Sequence, residues 1–262
     1  MSNASKGNKY IIALVIGLVL MFLGGSLLIY YAYIPYRIGT GESFKVFYVD
    51  LVEFSKGNIN FPNSTYINFS YCFLQFISYA PILVLIFWLF SKEFIDDFKR
   101  FKENIWKNLG VIGLCYVGMI ILNAIVSRIY DIIGIGGESN NEETITLLLN
   151  GDGKLLMIVS VVLMAPICEE FIFRKFIFGV VEERFHWKAF IAVIASALVF
   201  SFIHVTDLPS LKFIFQYIAL AVPICLCYHF TNNNVVASII IHVWNNTISV
   251  IATYFLIYGI RW

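Results

Sequence analysis

The sequence is poor in charge. Asp, Glu, Lys and Arg make up 13% of its 262 residues, against roughly 25% in an ordinary soluble domain, while 60% of the residues are hydrophobic. A soluble domain of this size cannot hide so much apolar surface. The composition excludes a disordered or collagen-like chain and points to a polytopic membrane protein. An excess of either sign is also missing. The net charge is +1, so no nucleic-acid partner is expected. The five cysteines (Cys72, Cys115, Cys168, Cys225, Cys227) lack any paired spacing. They exclude a disulfide scaffold or a cysteine metal cluster and read as small buried hydrophobes. No internal repeat or low-complexity tract is present.

A bilayer-spanning helix needs about 20 mostly apolar residues. Seven stretches meet or approach this: 10–34, 69–90, 109–127, 154–178, 188–205, 210–230 and 235–260. The fifth is short, and 35–68 is the longest loop. The expected fold is an all-α polytopic bundle of seven to eight spans. The run after Lys6 and Lys9 exceeds a signal-peptide core of roughly 7–15 residues and no A-x-A site follows, so it reads as an uncleaved first span, with residues 1–8 polar and frayed. Placing the N-terminus in the cytoplasm puts 11 Lys and Arg residues inside and 7 outside, the latter including Arg261. The positive-inside rule therefore favours that orientation. Trp88, Trp106, Trp187 and Trp262 fall at span ends, where an interfacial belt would place them; Trp244 falls inside a span and reads as core. The charged run 91–107 reads as a solvated loop or surface helix.

Ionisable groups inside apolar segments are costly, so each is a candidate functional residue. The fourth span contains Glu169, Glu170 and Arg174. Glu170 and Arg174 are i and i+4 and can pair, whereas Glu169 lies about 100° around the helix and can point elsewhere. His204 ends the fifth stretch, four residues after Phe200. His242 interrupts the last, where Ser238, His242, Asn246, Ser249 and Thr253 form a polar stripe. If spans four and five turn near 185–186, Glu169 lies opposite residue 202 and within ~3 Å of His204 in depth. From a turn near 232–233, His242 comes several residues too shallow. Either Pro223 breaks the sixth span or the 231–234 turn is sunk into the protein.

The patterns E-E-x-x-x-R at 169–174, F-x-x-x-H at 200–204 and H-x-x-x-N at 242–246, in this order on successive apolar segments, resemble the CPBP family. Its members include CAAX prenyl endopeptidases and bacterial Abi-type proteins. The resemblance covers roughly residues 150–250. It departs at Lys175, where many bacterial members have Gly. On this resemblance, 151–262 is the catalytic helical core and 1–150 supplies N-terminal spans and loops of one integrated membrane domain.

The resemblance implies an intramembrane endopeptidase in a bacterial cell membrane, cutting a membrane-bound or lipidated peptide or protein. Glu169 would be the general base, with His204 orienting the water or relaying its proton. His242 and Asn246 would stabilise the oxyanion, and Glu170, Arg174 and Phe200 would support them. A carboxylate withdrawn from water is a better base, and donors aimed at a tetrahedral oxygen gain strength in a dry pocket. With the N-terminus inside, the cavity is expected to open to the cytoplasm. Glu169, His204 and His242 are also a permissible zinc triad. With no H-E-x-x-H and no evident fourth ligand, a metal-free mechanism is favoured. A non-catalytic immunity or regulatory binding protein of the same fold is the alternative. A Glu–His proton-relay transporter is a weaker one, since no inverted repeat is visible.

Overall fold

The computed structural model describes residues 3–205 and 207–258, and side chains within 7–205 and 207–255. Met1, Ser2 and the side chain of Lys6, together with Arg261 and Trp262, lie outside the described residues. The described chain is helical throughout. Its helices are α1 (Asn3–Thr40), α2 (Phe44–Ser55), α3 (Ser64–Ser78), α4 (Ala80–Glu103), α5 (Ile105–Ile133) and α6 (Asn140–Leu149). These are followed by α7 (Lys154–Arg184), α8 (Ala189–His204), α9 (Ile214–Phe230, entered by a 3-10 turn) and α10 (Val235–Tyr258).

Six segments are long and apolar enough to cross a membrane: α1, α3 with α4, α5, α7, α9 and α10. All seven apolar stretches are helical, but α8 has only 16 residues. At 1.5 Å per residue it reaches ~24 Å, less than a hydrocarbon core of ~30 Å. Among the described residues the seven expected stretches thus appear as six candidate spans and one short apolar helix of an all-α bundle.

Local chemistry sets the helix ends. The Ser43 and Ser139 hydroxyls cap α2 and α6 by accepting the N–H of Val46 and Glu142. Gly134 closes α5 in the left-handed conformation. The α9–α10 turn uses Asn232 and Asn233 at φ of 60° and 54°, a conformation asparagine tolerates better than most residues. Asn234 then caps α10, its Oδ1 accepting from Val236 at 3.0 Å and Ala237 at 3.4 Å.

Burial identifies the centre. Half of the apolar window is buried in both α7 and α9, against 11% for α5, so α7 and α9 lie inside the bundle and α5 along its edge. Around α7 stand α1, α3, α4, α8 and α10. Helix α1 runs antiparallel to it and approaches closely at Gly179, where a Cβ would lie 2.5 Å from the Tyr10 ring. Small residues permit such approaches between membrane helices.

One core cluster fills the space between α1, α4, α7, α8, α9 and α10 around Phe90, Phe171, Phe173 and Phe176. A second lies at the other end, under α2, α3 and α6. Three stretches of α7 have π-helical geometry: Ser160–Met164, Glu170–Phe176 and Gly179–Arg184. Such bulges often mark functional sites. Trp244 is 58% exposed against Tyr116, so it is a peripheral residue and not core. The charged run 91–107 continues α4, and Asp97 within it is buried.

Candidate active site

Glu169 is 7% exposed, one residue before the second π stretch of α7. Its Oε2 lies 3.9 Å from His204 Nε2 and 3.8 Å from His242 Nε2. Helices α7, α8 and α10 thus deliver one carboxylate oxygen and two imidazole nitrogens to one point. The spacing exceeds a direct hydrogen bond and suits a water between polar partners. The hairpin estimate for His204 holds, since the chain turns at 185–188 between α7 and α8. His242 reaches the same depth because the 231–234 turn is sunk, with Thr231 and Asn234 buried. Pro223 does not interrupt α9.

The outer nitrogens of both rings are already engaged. His204 Nδ1 lies 2.8 Å from the Phe200 carbonyl, which can only accept, so Nδ1 carries a hydrogen and, in the neutral ring, Nε2 presents a lone pair. His242 Nδ1 lies 2.8 Å from Glu170 Oε1. That oxygen also sits 2.9 Å from Arg174 Nη1, an ion pair with both side chains fully buried. Glu170 therefore accepts from His242, whose Nε2 is bare in the neutral ring. A neutral His242 is then not the ready N–H donor expected of it. It donates toward the cavity only with a proton on each nitrogen.

Glu170 and Arg174 stay behind the reacting face, as the i, i+4 spacing implied. Arg174 donates to the Ala221 carbonyl at 3.4 Å and stacks its guanidinium 4.9 Å over the Phe200 ring. Phe200 in turn stacks on His204 at 4.2 Å. It is the apolar platform between the ion pair and the site.

Asn246 has a second task. In the first π stretch the Ala165 N–H reaches back five residues to the Ser160 carbonyl. The next donor in that register, at residue 166, would serve Val161, but Pro166 has no N–H. Asn246 Nδ2 fills the gap, donating to Val161 O at 2.9 Å. Its other amide hydrogen is left for the cavity it lines.

That cavity, of about 200 Å³, is lined by Glu169, His204, His242 and Asn246, with Ser249 and Thr253 from the stripe. Ser238 instead bonds to its own helix. From Glu169 the lining runs along α7 through Ala165 and Val161 to Met157, toward the helix start, and is completed by Asn141 and Glu142 of α6. Helix α1 begins beside the end of α7, where Arg184 Nε donates to Asn8 at 3.1 Å. The cavity therefore opens on the face opposite the beginning of α1. An opening to the cytoplasm would then put the beginning of α1 on the other side of the membrane, so the two expectations are coupled.

Sequence reasoning missed Glu142, Asn141, Gln75 and Tyr79 as wall residues, and their segments carried no signal linking them to the motifs. Glu142 stays exposed at the rim, and the protein atoms crowding its carboxyl, with the neighbouring Glu138, raise it above the ordinary range. The zinc triad fits poorly. Ligand atoms of a tetrahedral zinc stand ~3.3 Å apart at bonds of ~2.0 Å, closer than the 3.8 and 3.9 Å here. Among the described residues no group of three or more His, Cys, Asp or Glu is arranged to hold a metal ion.

Residues 151–248 match the Rce1-like family, described as type II CAAX prenyl endopeptidase Rce1-like. A Bacillus subtilis (strain 168) protein named "Putative membrane peptidase YdiL" is 28% identical over 179 residues, 68% of this chain and 69% of that protein. An uncharacterized protein of Mycoplasma capricolum subsp. capricolum is 30% identical over 189 residues, 66% of this chain. The match spans about half of that relative, 53% of its length. No solved structure matches the chain. The matched segment holds all three motifs, and with them Glu169, Glu170, Arg174, Phe200, His204, His242 and Asn246. Over residues 151–248 this membrane protein is thus similar to the Rce1-like type II CAAX prenyl endopeptidases, the side of the CPBP family that its three motifs resemble.

Proposed function

We propose that the chain is an intramembrane endopeptidase that hydrolyses a peptide bond of a membrane-bound or lipidated peptide through a metal-free, glutamate-activated water. The observation that carries this reading is the convergence of Glu169 Oε2 with two imidazole Nε2 atoms at 3.8 and 3.9 Å in a cavity. A water there donates one hydrogen to Glu169 and the other to the bare Nε2 of His204. Glu169 takes the proton as the oxygen attacks the scissile carbonyl. The tetrahedral oxygen is met by the free amide hydrogen of Asn246 and, in protein that enters the reaction with His242 already protonated from solvent on both nitrogens, by its Nε2–H. The proton on Glu169 then passes to the departing amine. Glu170 and Arg174 act behind His242, holding the ring through Nδ1.

A purely structural or partner-binding role leaves unexplained why a buried carboxylate and two imidazole nitrogens converge on the wall of a polar cavity. The test is comparative proteomics of membrane peptides from cells carrying wild type or Glu169→Gln. Peptides ending at a common site are expected only with wild type, and His204→Ala is expected to match Glu169→Gln. Identical peptide sets with normal amounts of both proteins would refute the assignment. Cleavage that survives exhaustive chelation is expected; its loss on chelation with recovery on added zinc would overturn the metal-free mechanism.

A further inference from the structure

Asp97 belongs to the charged run of α4, yet it is 2% exposed. Its Oδ2 accepts from Lys175 Nζ on α7 at 2.8 Å and from the Val235 N–H that starts α10 at 3.2 Å. Its Oδ1 takes Arg100, and its carbonyl accepts from Asn234 Nδ2 at 2.8 Å. One residue of α4 thus holds α7 five positions beyond Glu170 and α10 seven positions before His242. Lys175 is the residue at which the motif departs from the glycine of many bacterial members.

The geometry requires such a tie. Helix α7 continues 15 residues from Glu169 to its end at Arg184, whereas α10 has 7 residues before His242. The 8-residue difference is ~12 Å of helix. The α9–α10 turn must sit that far inside for the two side chains to meet, and its residues Thr231 and Asn234 are buried. A polar turn at that depth is costly unless its groups find partners. Asp97 meets Asn234 and Val235, Arg100 meets the Asn232 carbonyl at 3.3 Å and Glu182 accepts from Asn233 Nδ2 at 2.7 Å; Lys175 acts on the turn through Asp97.

We infer that Asp97 and Lys175 are positioning residues: they set the depth of α10 and so place His242 beside Glu169. The inference rests on the hydrolytic reading above, so its test includes a readout independent of cleavage. The full chain is reconstituted in lipid nanodiscs with ¹⁵N-labelled histidine, and the His242 ring signals are assigned by their loss in His242→Gln. Lys175→Met is expected to shift those signals and to lower kcat on a quenched, farnesylated CAAX peptide by about 10- to 100-fold with KM little changed, since small misplacements act on the chemical step. Adding Asp97→Asn removes the charge that Lys175 faced, leaves Arg100 to solvent and keeps an acceptor for Val235, and is expected to restore both readouts toward wild type. Unchanged His242 signals in folded Lys175→Met overturn the inference, as does a loss confined to the amount of folded protein. If wild type does not cleave the peptide, the substrate or hydrolytic reading fails, and the His242 signals still decide the positioning role.

Discussion

Replacing Arg174 with methionine strands a carboxylate. Glu170 and Arg174 are both fully buried, 2.9 Å apart, so solvent screens the pair little. Removing one partner of a buried pair costs about 3–5 kcal/mol, because the remaining charge has lost its compensation. Here the remaining Glu170 keeps one strong donor, His242 Nδ1 at 2.8 Å, which places the expected cost at the lower end, about 3 kcal/mol. The methionine keeps most of the apolar bulk over Phe200, so lost packing adds little. Adding Glu170→Gln removes the charge and retains an acceptor for His242. The double variant is expected to recover about 2 kcal/mol, a coupling within the range seen for residues in direct contact. Steric trapping in lipid bicelles reads these free energies without heat-induced aggregation. A single variant costing less than about 1 kcal/mol, or a double variant no more stable than the single, refutes the claim that the pair neutralises a buried charge beside the site.

Two further outcomes follow from the geometry. Asn246→Ala leaves the buried Val161 carbonyl without its donor and is expected to cost about 1–3 kcal/mol. Pro166→Ala in the same chain supplies a backbone N–H in the right register and is expected to recover part of that loss, again by steric trapping, while leaving cleavage impaired. The second concerns Glu142, whose carboxyl is raised by the protein atoms crowding it and by Glu138. A raised carboxyl favours the protonated folded state, so its contribution is fully present below the ordinary glutamate value and is lost as pH rises through the folded one. Glu142→Gln is therefore expected to match wild type in stability at low pH and exceed it at neutral pH. Parallel unfolding midpoints for the two proteins across pH 4–7 would contradict that.

The membrane bundle and the meeting of Glu169 with His204 were legible in the sequence, because both follow from short-range rules: apolar run length, and the common depth of two residues across one hairpin. Glu170 and Arg174 were legible for the same reason, sharing a face at i, i+4. His242 was legible as a candidate but its depth was not, since a sunk turn depends on a distant acid. Asp97 stands 138 positions before Val235, and nothing local separates it from its solvated neighbours in the same run. The occupation of both imidazole Nδ1 atoms was hidden as well, because it depends on ring orientation. So was the bond from Asn246 to Val161, which depends on the π register ahead of Pro166. The end at which the cavity lies was not legible, because charge counting orients a chain but does not tell from which end a helix bundle is hollow.

The antiparallel course of α1 and α7 has a consequence for locating the chemistry in a cell. Residue 8 contacts residue 184, while the hollow beside Glu169 extends toward residue 157. A tag fused ahead of α1 and a small reagent entering the hollow therefore report from opposite compartments. Finding which compartment holds the tag fixes, by elimination, the one from which soluble reactants arrive.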